Sequence, residues 1–202
     1  MATLLLIIFA PVFILAPILI RLDSPGPVFA KIPPRVGKNG KPFRMFKFRS
    51  MVANAHELLT TDPKFKKLYE EYKKNSYKLK KDPRITKVGA FLRRFSLDEL
   101  SQVFNVLRGE MSIVGPRAYY ACDPDELGEQ QKVHPETKQY VEELLRVKPG
   151  ITGHWQVSGR SDVNFDKRVR MDAEYARQRS ILQDIMIMLK TPWAMVTGKG
   201  AL

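Results

Sequence analysis

Cysteine is almost absent from this chain, with Cys122 its only example. No internal disulfide can form and no cysteine-based metal cluster exists. Nothing near Cys122 supplies an obvious base, so it reads as an incidental thiol rather than a nucleophile. Internal repeats and low-complexity linkers are also missing, and 202 residues suit one domain with a sizeable core. Acidic charge is scarce beside basic charge: 34 Lys and Arg stand against 21 Asp and Glu, a net charge of +13. That excess favours phosphate-rich partners, namely nucleic acid, an anionic membrane surface or a nucleotide substrate. A hydrophobic content of 44% is that of a globular chain, not a disordered one.

A long uninterrupted apolar run is lacking as well. Leu4 to Ile20 holds seventeen uncharged residues, and a straight bilayer span takes about 20. Pro11 and Pro17 each remove a helical hydrogen bond within it. A helix that breaks near Pro11 and returns to the same face fits better than a straight span. A signal peptide would carry a positive segment before Leu4, and none is present. A buried core helix is the other ordinary reading, but an uncharged N-terminal run favours a membrane. Basic residues begin at Arg21, which by the positive-inside tendency keeps the body cytoplasmic.

Asp23-Ser-Pro-Gly-Pro27 marks a turn. Val28 to Ile32 suits a strand, and Val36-Gly-Lys-Asn-Gly-Lys41 a hairpin turn. Pro42 to Met51 then alternates Phe43, Met45, Phe46 and Phe48 with Arg44, Lys47 and Arg49, the pattern of a half-buried strand. Ala53 to Lys81 is lysine-rich and helical in pattern, broken near Asp62-Pro63. It reads as a solvated helix against anionic headgroups, and no DNA or RNA motif accompanies it. Ile113 to Arg117 predicts a strand or tight loop, Glu136 to Arg146 a short helix, and Trp155 to Arg160 a strand and turn. Val163 to Arg179 is charged and helical. Ser180 to Val196 carries Ile181, Leu182, Ile185, Leu189 and Trp193, which suits either an interfacial helix or an ordinary core helix.

The densest chemistry lies between Phe91 and Ala118, FLRRFSLDELSQVFNVLRGEMSIVGPRA. Ser96 with Glu99 three residues later is a capping-box spacing, which predicts a helix from Leu97. Leu100, Val103, Phe104 and Leu107 continue at helical spacing, and Gly109 is a natural stop. Asp98 and Glu99 then occupy a first turn, where free N–H groups favour anions. Arg93, Arg94 and Arg117 flank them. Such a set could handle phosphate, with a metal held by the acids. The same residues also make ordinary helix chemistry, because Ser-x-x-Glu before an apolar run is common.

The segment SLDELSQVFNVLRGEMSIVGPR closely resembles the signature of the bacterial sugar transferases, the monotopic polyprenyl-phosphate phosphoglycosyl transferases. SPGPVF (24–29), FKFRSM (46–51) and KPGITGHWQVSGRS (148–161) match further family motifs, in family order and over nearly the whole chain. The resemblance implies a mostly helical α+β fold. Residues 1–22 are expected to form a re-entrant membrane helix, and residues 23–202 a compact cytoplasmic domain with short strands and interfacial amphipathic helices. It implies transfer of a sugar-1-phosphate from a UDP-sugar to polyprenyl (undecaprenyl) phosphate, releasing UMP, on the cytoplasmic face of a bacterial inner membrane. Asp98 is the implied nucleophile, with Glu99 as its catalytic partner. Mg2+ is the implied cofactor, with Asp98, Glu99 and Asp172 as candidate ligands. Lys47, Arg49, Arg93, Arg117, Gln156 and Arg160 are the candidate substrate contacts. The expected partners are the UDP-sugar, the polyprenyl phosphate and the anionic inner leaflet, without nucleic acid.

The chain departs from the family pattern at Ala10-Pro11, usually Ser-Pro, and at Pro116-Arg117-Ala118, usually Pro-Arg-Pro. It also begins almost inside the apolar run, so the usual basic lead-in is expected to be truncated or to belong to a longer parent. Those departures define one alternative, a disabled family member. A non-catalytic basic module that binds membrane or nucleic acid is the other. It accounts for the charge but not for acids beside arginines at a helix start.

Overall fold

The computed structural model describes residues 2–74, 79, 82–120, 138–158 and 165–197. Two apolar helices come first, α1 (Ala2–Ile8) and α2 (Ala10–Asp23), bent by 64° at Phe9. Pro11 falls in the first turn of α2, where its missing N–H breaks nothing. Among the described residues no single helix is long and apolar enough to cross a membrane, but this bent pair meets that test together. One face of α2 belongs to the body: Ala16 and Ile20 share a core cluster with Phe48 and Leu92. Phe13 extends that contact, its ring 5.5 Å from Phe104 and 6.0 Å from Phe48. The opposite face leaves Ile14, Leu15, Ile18, Leu19 and Leu22 exposed.

The expected hairpin forms from β1 (Arg35–Val36) and β2 (Pro42–Phe43), antiparallel, around a short 3-10 turn at Lys38–Gly40. Phe29 and Phe48 make a single antiparallel bridge where a fuller strand was expected. The lysine-rich stretch forms α3 (Ala55–Thr61) and α4 (Lys66–Lys74). The break falls where expected, with the Asp62 side chain accepting from the Lys64 N–H at 2.9 Å.

Helix α5 (Lys87–Arg94) is capped by the Thr86 side chain, which accepts from the Gly89 N–H. It packs directly on the backbone of Ser50. A Cβ on Gly89 would lie 2.0 Å from the Ser50 carbonyl oxygen. Gly89→Ala is therefore expected to destabilise the fold by about 3 kcal/mol or more, through forced separation of α5 from the Lys47 segment. Urea unfolding measures it, and an unchanged midpoint would refute this packing.

The central stretch departs from expectation in detail. Ser96 adopts a left-handed backbone (φ 54°) and its side chain makes no cap. Leu97–Gln102 is a 3-10 helix that continues as α6 (Val103–Leu107). No capping box forms: the Ser96 N–H donates to the Arg93 carbonyl at 3.1 Å, and the Glu99 carboxylate pairs with Lys47. Strand β3 (Ser112–Val114) follows. Then come α7 (Lys138–Leu144) and β4 (Gly150–Thr152), and β4 pairs with β3 in parallel, Ser112 opposite Gly150 and Val114 opposite Thr152. The strand thus lies earlier than expected. His154–Ser158 is α8, a helical turn started by N–H groups of Gln156 and Val157 closing on the Gly153 carbonyl.

Helices α9 (Phe165–Gln178) and α10 (Ile181–Thr197) complete the domain. Ile187 of α10 packs with Val114 and Tyr175, while Ile181, Leu182, Leu189, Trp193 and Val196 face outward. The architecture is mostly helical with short strand pairs, compatible with the expected α+β class.

Candidate active site

The turn between α5 and the 3-10 helix sets the carboxylates. The left-handed Ser96 reverses the chain so that Asp98 and Glu99 emerge at the start of the next helix. The main-chain N–H of Phe48 donates to the Asp98 carbonyl at 2.9 Å, which fixes the Lys47 segment beside them. Lys47 Nζ then lies 3.2 Å from Asp98 Oδ2 and 3.2 Å from Glu99 Oε1. Asp98 is only 3% exposed, and a carboxylate so placed needs a cation beside it.

The electrostatics agree with that arrangement. Burial opposes the Lys47 charge, but the Asp98 and Glu99 carboxylates outweigh it and raise the ammonium pKa. Burial likewise opposes the Glu99 charge, yet Lys47, Arg117 and Arg35 together hold this carboxyl below its usual range. Arg93, in the last turn of α5, is close enough for its charge to oppose that of Lys47.

Arg117 arrives from a different direction. The β3–β4 pairing ends at Val114, and Gly115 and Pro116 lead the chain to it. Its N–H donates to Asp172 Oδ2 at 3.0 Å, and the Tyr119 hydroxyl donates to the same oxygen at 2.9 Å. The Arg117 guanidinium carbon lies 5.3 Å from the Trp155 ring centre, and that of Arg168 lies 4.4 Å from it. Asp172 is fully buried on α9. Burial pushes its carboxyl up to about 7, against the Arg117 and Tyr119 hydrogen bonds and the charges of Arg117 and Arg168. Asp172 thus anchors the Arg117 segment.

The other expected contacts divide. Arg49 is turned away: its guanidinium donates to the carbonyls of Ser24 at 2.7 Å, Pro25 at 2.7 Å and Ile20 at 3.2 Å. It ties the turn at Ser24 and Pro25 to the C-terminal end of α2. Gln156 Nε2 donates to the Ile151 carbonyl at 2.9 Å and so braces β4. Arg160 lies outside the described residues. Sequence reasoning missed Arg35, which is 6% exposed and donates to the Ala118 carbonyl at 3.0 Å. Nothing in RVGKNGKPF beyond the turn signal marks it, since an arginine opening a two-residue strand reads as a solvated charge.

Among the described residues no three His, Cys, Asp or Glu gather to hold a metal unaided. The Asp98 and Glu99 pair nonetheless fits Mg2+, which commonly takes one or two protein carboxylates and completes its shell with water and substrate phosphate. The Lys47 ammonium shared between the two carboxylates shows that the pair attracts a cation. A cavity of about 210 Å³ lined by Lys38, Ser112, Tyr175, Arg179 and Asp184 does not include the carboxylates.

This is an α+β domain that holds a carboxylate pair under a lysine, with an arginine-bearing loop alongside. It belongs to the bacterial sugar transferase family, whose model matches residues 1–198. The undecaprenyl-phosphate galactose phosphotransferase of Salmonella typhimurium is 44% identical over 174 residues, covering 83% of this chain and 33% of that protein. The UDP-glucose:undecaprenyl-phosphate glucose-1-phosphate transferase of Escherichia coli is 38% identical over 209 residues, covering 100% of this chain and 39% of that protein. The exopolysaccharide production protein ExoY of Rhizobium meliloti is 39% identical over 201 residues, 99% of this chain and 84% of that protein. The chain therefore spans well under half the length of the longer relatives and most of the shorter one.

Proposed function

We propose that this chain transfers a sugar-1-phosphate from a UDP-sugar to undecaprenyl phosphate as a first step of surface polysaccharide or glycoconjugate assembly. The observation that carries the reading is the buried Asp98 held with Glu99 under one lysine. Names of relatives that specify undecaprenyl-phosphate galactose and glucose-1-phosphate transfer support it. A basic binding module would use the net charge but would have no use for a buried aspartate set beside a half-exposed glutamate under one lysine.

Asp98 attacks the sugar-bearing β-phosphorus of the donor. The bond from that phosphorus to the bridging oxygen breaks, and UMP leaves. The resulting aspartyl-phosphosugar is an acyl phosphate. A phosphate oxygen of the lipid then attacks the same phosphorus and displaces Asp98, which regenerates the carboxylate. Arg117 and Arg93 hold phosphate oxygens, and Lys47 offsets the charge that gathers as one anion approaches another. Glu99 assists the pair. Asp98 and Glu99 would hold Mg2+, which would supply charge neutralisation at the diphosphate. A panel of UDP-sugars with radiolabelled lipid acceptor tests the function. Mg2+-dependent UMP release and labelled lipid are expected with at least one donor, and their absence with every donor would refute it.

On this reading the bent α1–α2 pair enters one leaflet and returns, with the site at the surface where the lipid phosphate lies. Its outward Ile14, Leu15, Ile18 and Leu19, and the outward face of α10 with Trp193, meet the inner leaflet. In a Cys122→Ser background, Thr3→Cys and Ser24→Cys are both expected to react with an impermeant maleimide from the cytoplasmic side only. Labelling from opposite sides would establish a full span.

A further inference from the structure

Arg35 is a charge in the wrong place for a surface hairpin. It opens β1, is 6% exposed, and donates through Nη1 to the Ala118 carbonyl at 3.0 Å. Its guanidinium carbon stacks 3.5 Å from the ring centre of Tyr120, and the two residues form an antiparallel bridge. The next residue repeats the attachment, with the Val36 N–H donating to the Tyr119 carbonyl at 2.8 Å. Every one of these contacts falls on the segment just after Arg117. On its other side that segment is held by Asp172, through the Arg117 N–H and the Tyr119 hydroxyl.

The charge has a counterpart in the site, because Arg35 is among the cations that favour ionised Glu99.

We propose that Arg35 is a positioning residue of the transfer reaction, latching the Ala118–Tyr120 segment to β1 so that Arg117 is set toward the carboxylate pair. The inference rests on the transferase reading above, and it assigns β1 a function beyond forming a hairpin. Arg35 acts through Arg117 and does not itself contact the donor.

A double-mutant cycle in kcat/KM for the UDP-sugar tests it, using Arg35→Met, Arg117→Met and the double variant. Arg35→Met alone is expected to lower kcat/KM by about 10- to 30-fold, as displacement of a phosphate-binding group does. In the Arg117→Met background the same change is expected to cost less than about 3-fold, since the group being positioned is gone. Two full, multiplying losses would overturn the proposal, because a merely structural arginine would damage both backgrounds alike. Amide hydrogen exchange provides a readout independent of turnover. The N–H groups of Arg117 to Tyr120 are expected to exchange at least about 10-fold faster in Arg35→Met, with α5 and α9 unchanged. Unchanged exchange there overturns the latch whatever the activity. Should the wild-type chain release no UMP, the transferase reading fails while exchange still judges the latch. If Arg35→Met does not fold, Arg35→Lys replaces it in both arms. It keeps the charge but cannot stack on Tyr120 while donating to Ala118, so intermediate effects support the proposal and wild-type values in both arms overturn it.

Discussion

Asp98→Asn is expected to leave a folded protein whose turnover falls on the order of 1000-fold or more, the scale seen when a covalent nucleophile is removed. Asparagine matches the shape of the side chain and keeps the main-chain bond from Phe48 to the carbonyl of residue 98. It also removes a carboxylate that is 3% exposed, so the fold loses no solvation on its account. What it cannot do is attack phosphorus. UMP release with donor and lipid measures the loss, and near wild-type turnover would take the nucleophile's role from Asp98. Glu99→Gln is expected to impair turnover less, because its amide oxygen can still accept from Lys47.

Lys47→Met is the second large effect. Methionine follows the path of the lysine stem but leaves Asp98 and Glu99 facing each other without the ammonium that now lies 3.2 Å from each. The rate is expected to fall about 100-fold, the usual cost of removing one charge-stabilising group from a site. Stability is expected to fall by about 2 kcal/mol, short of the ~3–5 kcal/mol for a fully buried pair because Lys47 keeps some contact with water. The pH dependence carries a definite sign. Glu99 is held below its ordinary value of 4.5, so it stabilises the fold above that pH and the contribution is lost as pH falls through the lowered value. Lys47→Met removes the leading favourable cause, so the variant is expected to lose less stability than wild type on acidification. Urea unfolding at several pH values measures this, and identical acid profiles would contradict the ion pair.

The sequence made some of this legible and hid the rest for identifiable reasons. Asp98 and Glu99 stood out because they sit together in a motif, and local order is what a sequence displays. Lys47 could be placed near them only through the family motif, since 51 residues separate it from Asp98. The missing capping box was hidden for a similar reason: Ser96 takes a left-handed turn and gives its N–H to the Arg93 carbonyl, while Glu99 pairs with a cation remote in sequence. Arg49 alternates with Lys47 in FKFRSM exactly as a strand would have it, two residues on. Yet its fork turns to the carbonyls of Ser24 and Pro25, just past the end of α2, a place the motif does not encode. Trp155 opened a stretch read as a strand and turn, but it lies on a short helical turn with the Arg117 and Arg168 guanidinium groups near its ring. Arg35 was invisible because its importance comes from Ala118 and Tyr120, more than eighty residues away.

The central claim is that Asp98 becomes covalently attached to the phosphosugar. Mass spectrometry after incubation with Mg2+ and a competent UDP-sugar, without lipid, tests it most directly. One phosphosugar is expected on the peptide that contains Asp98, with up to about one UMP released per site, and lipid phosphate should then discharge it. No adduct with a donor that supports turnover, together with kinetics that require both substrates bound at once, would contradict the account.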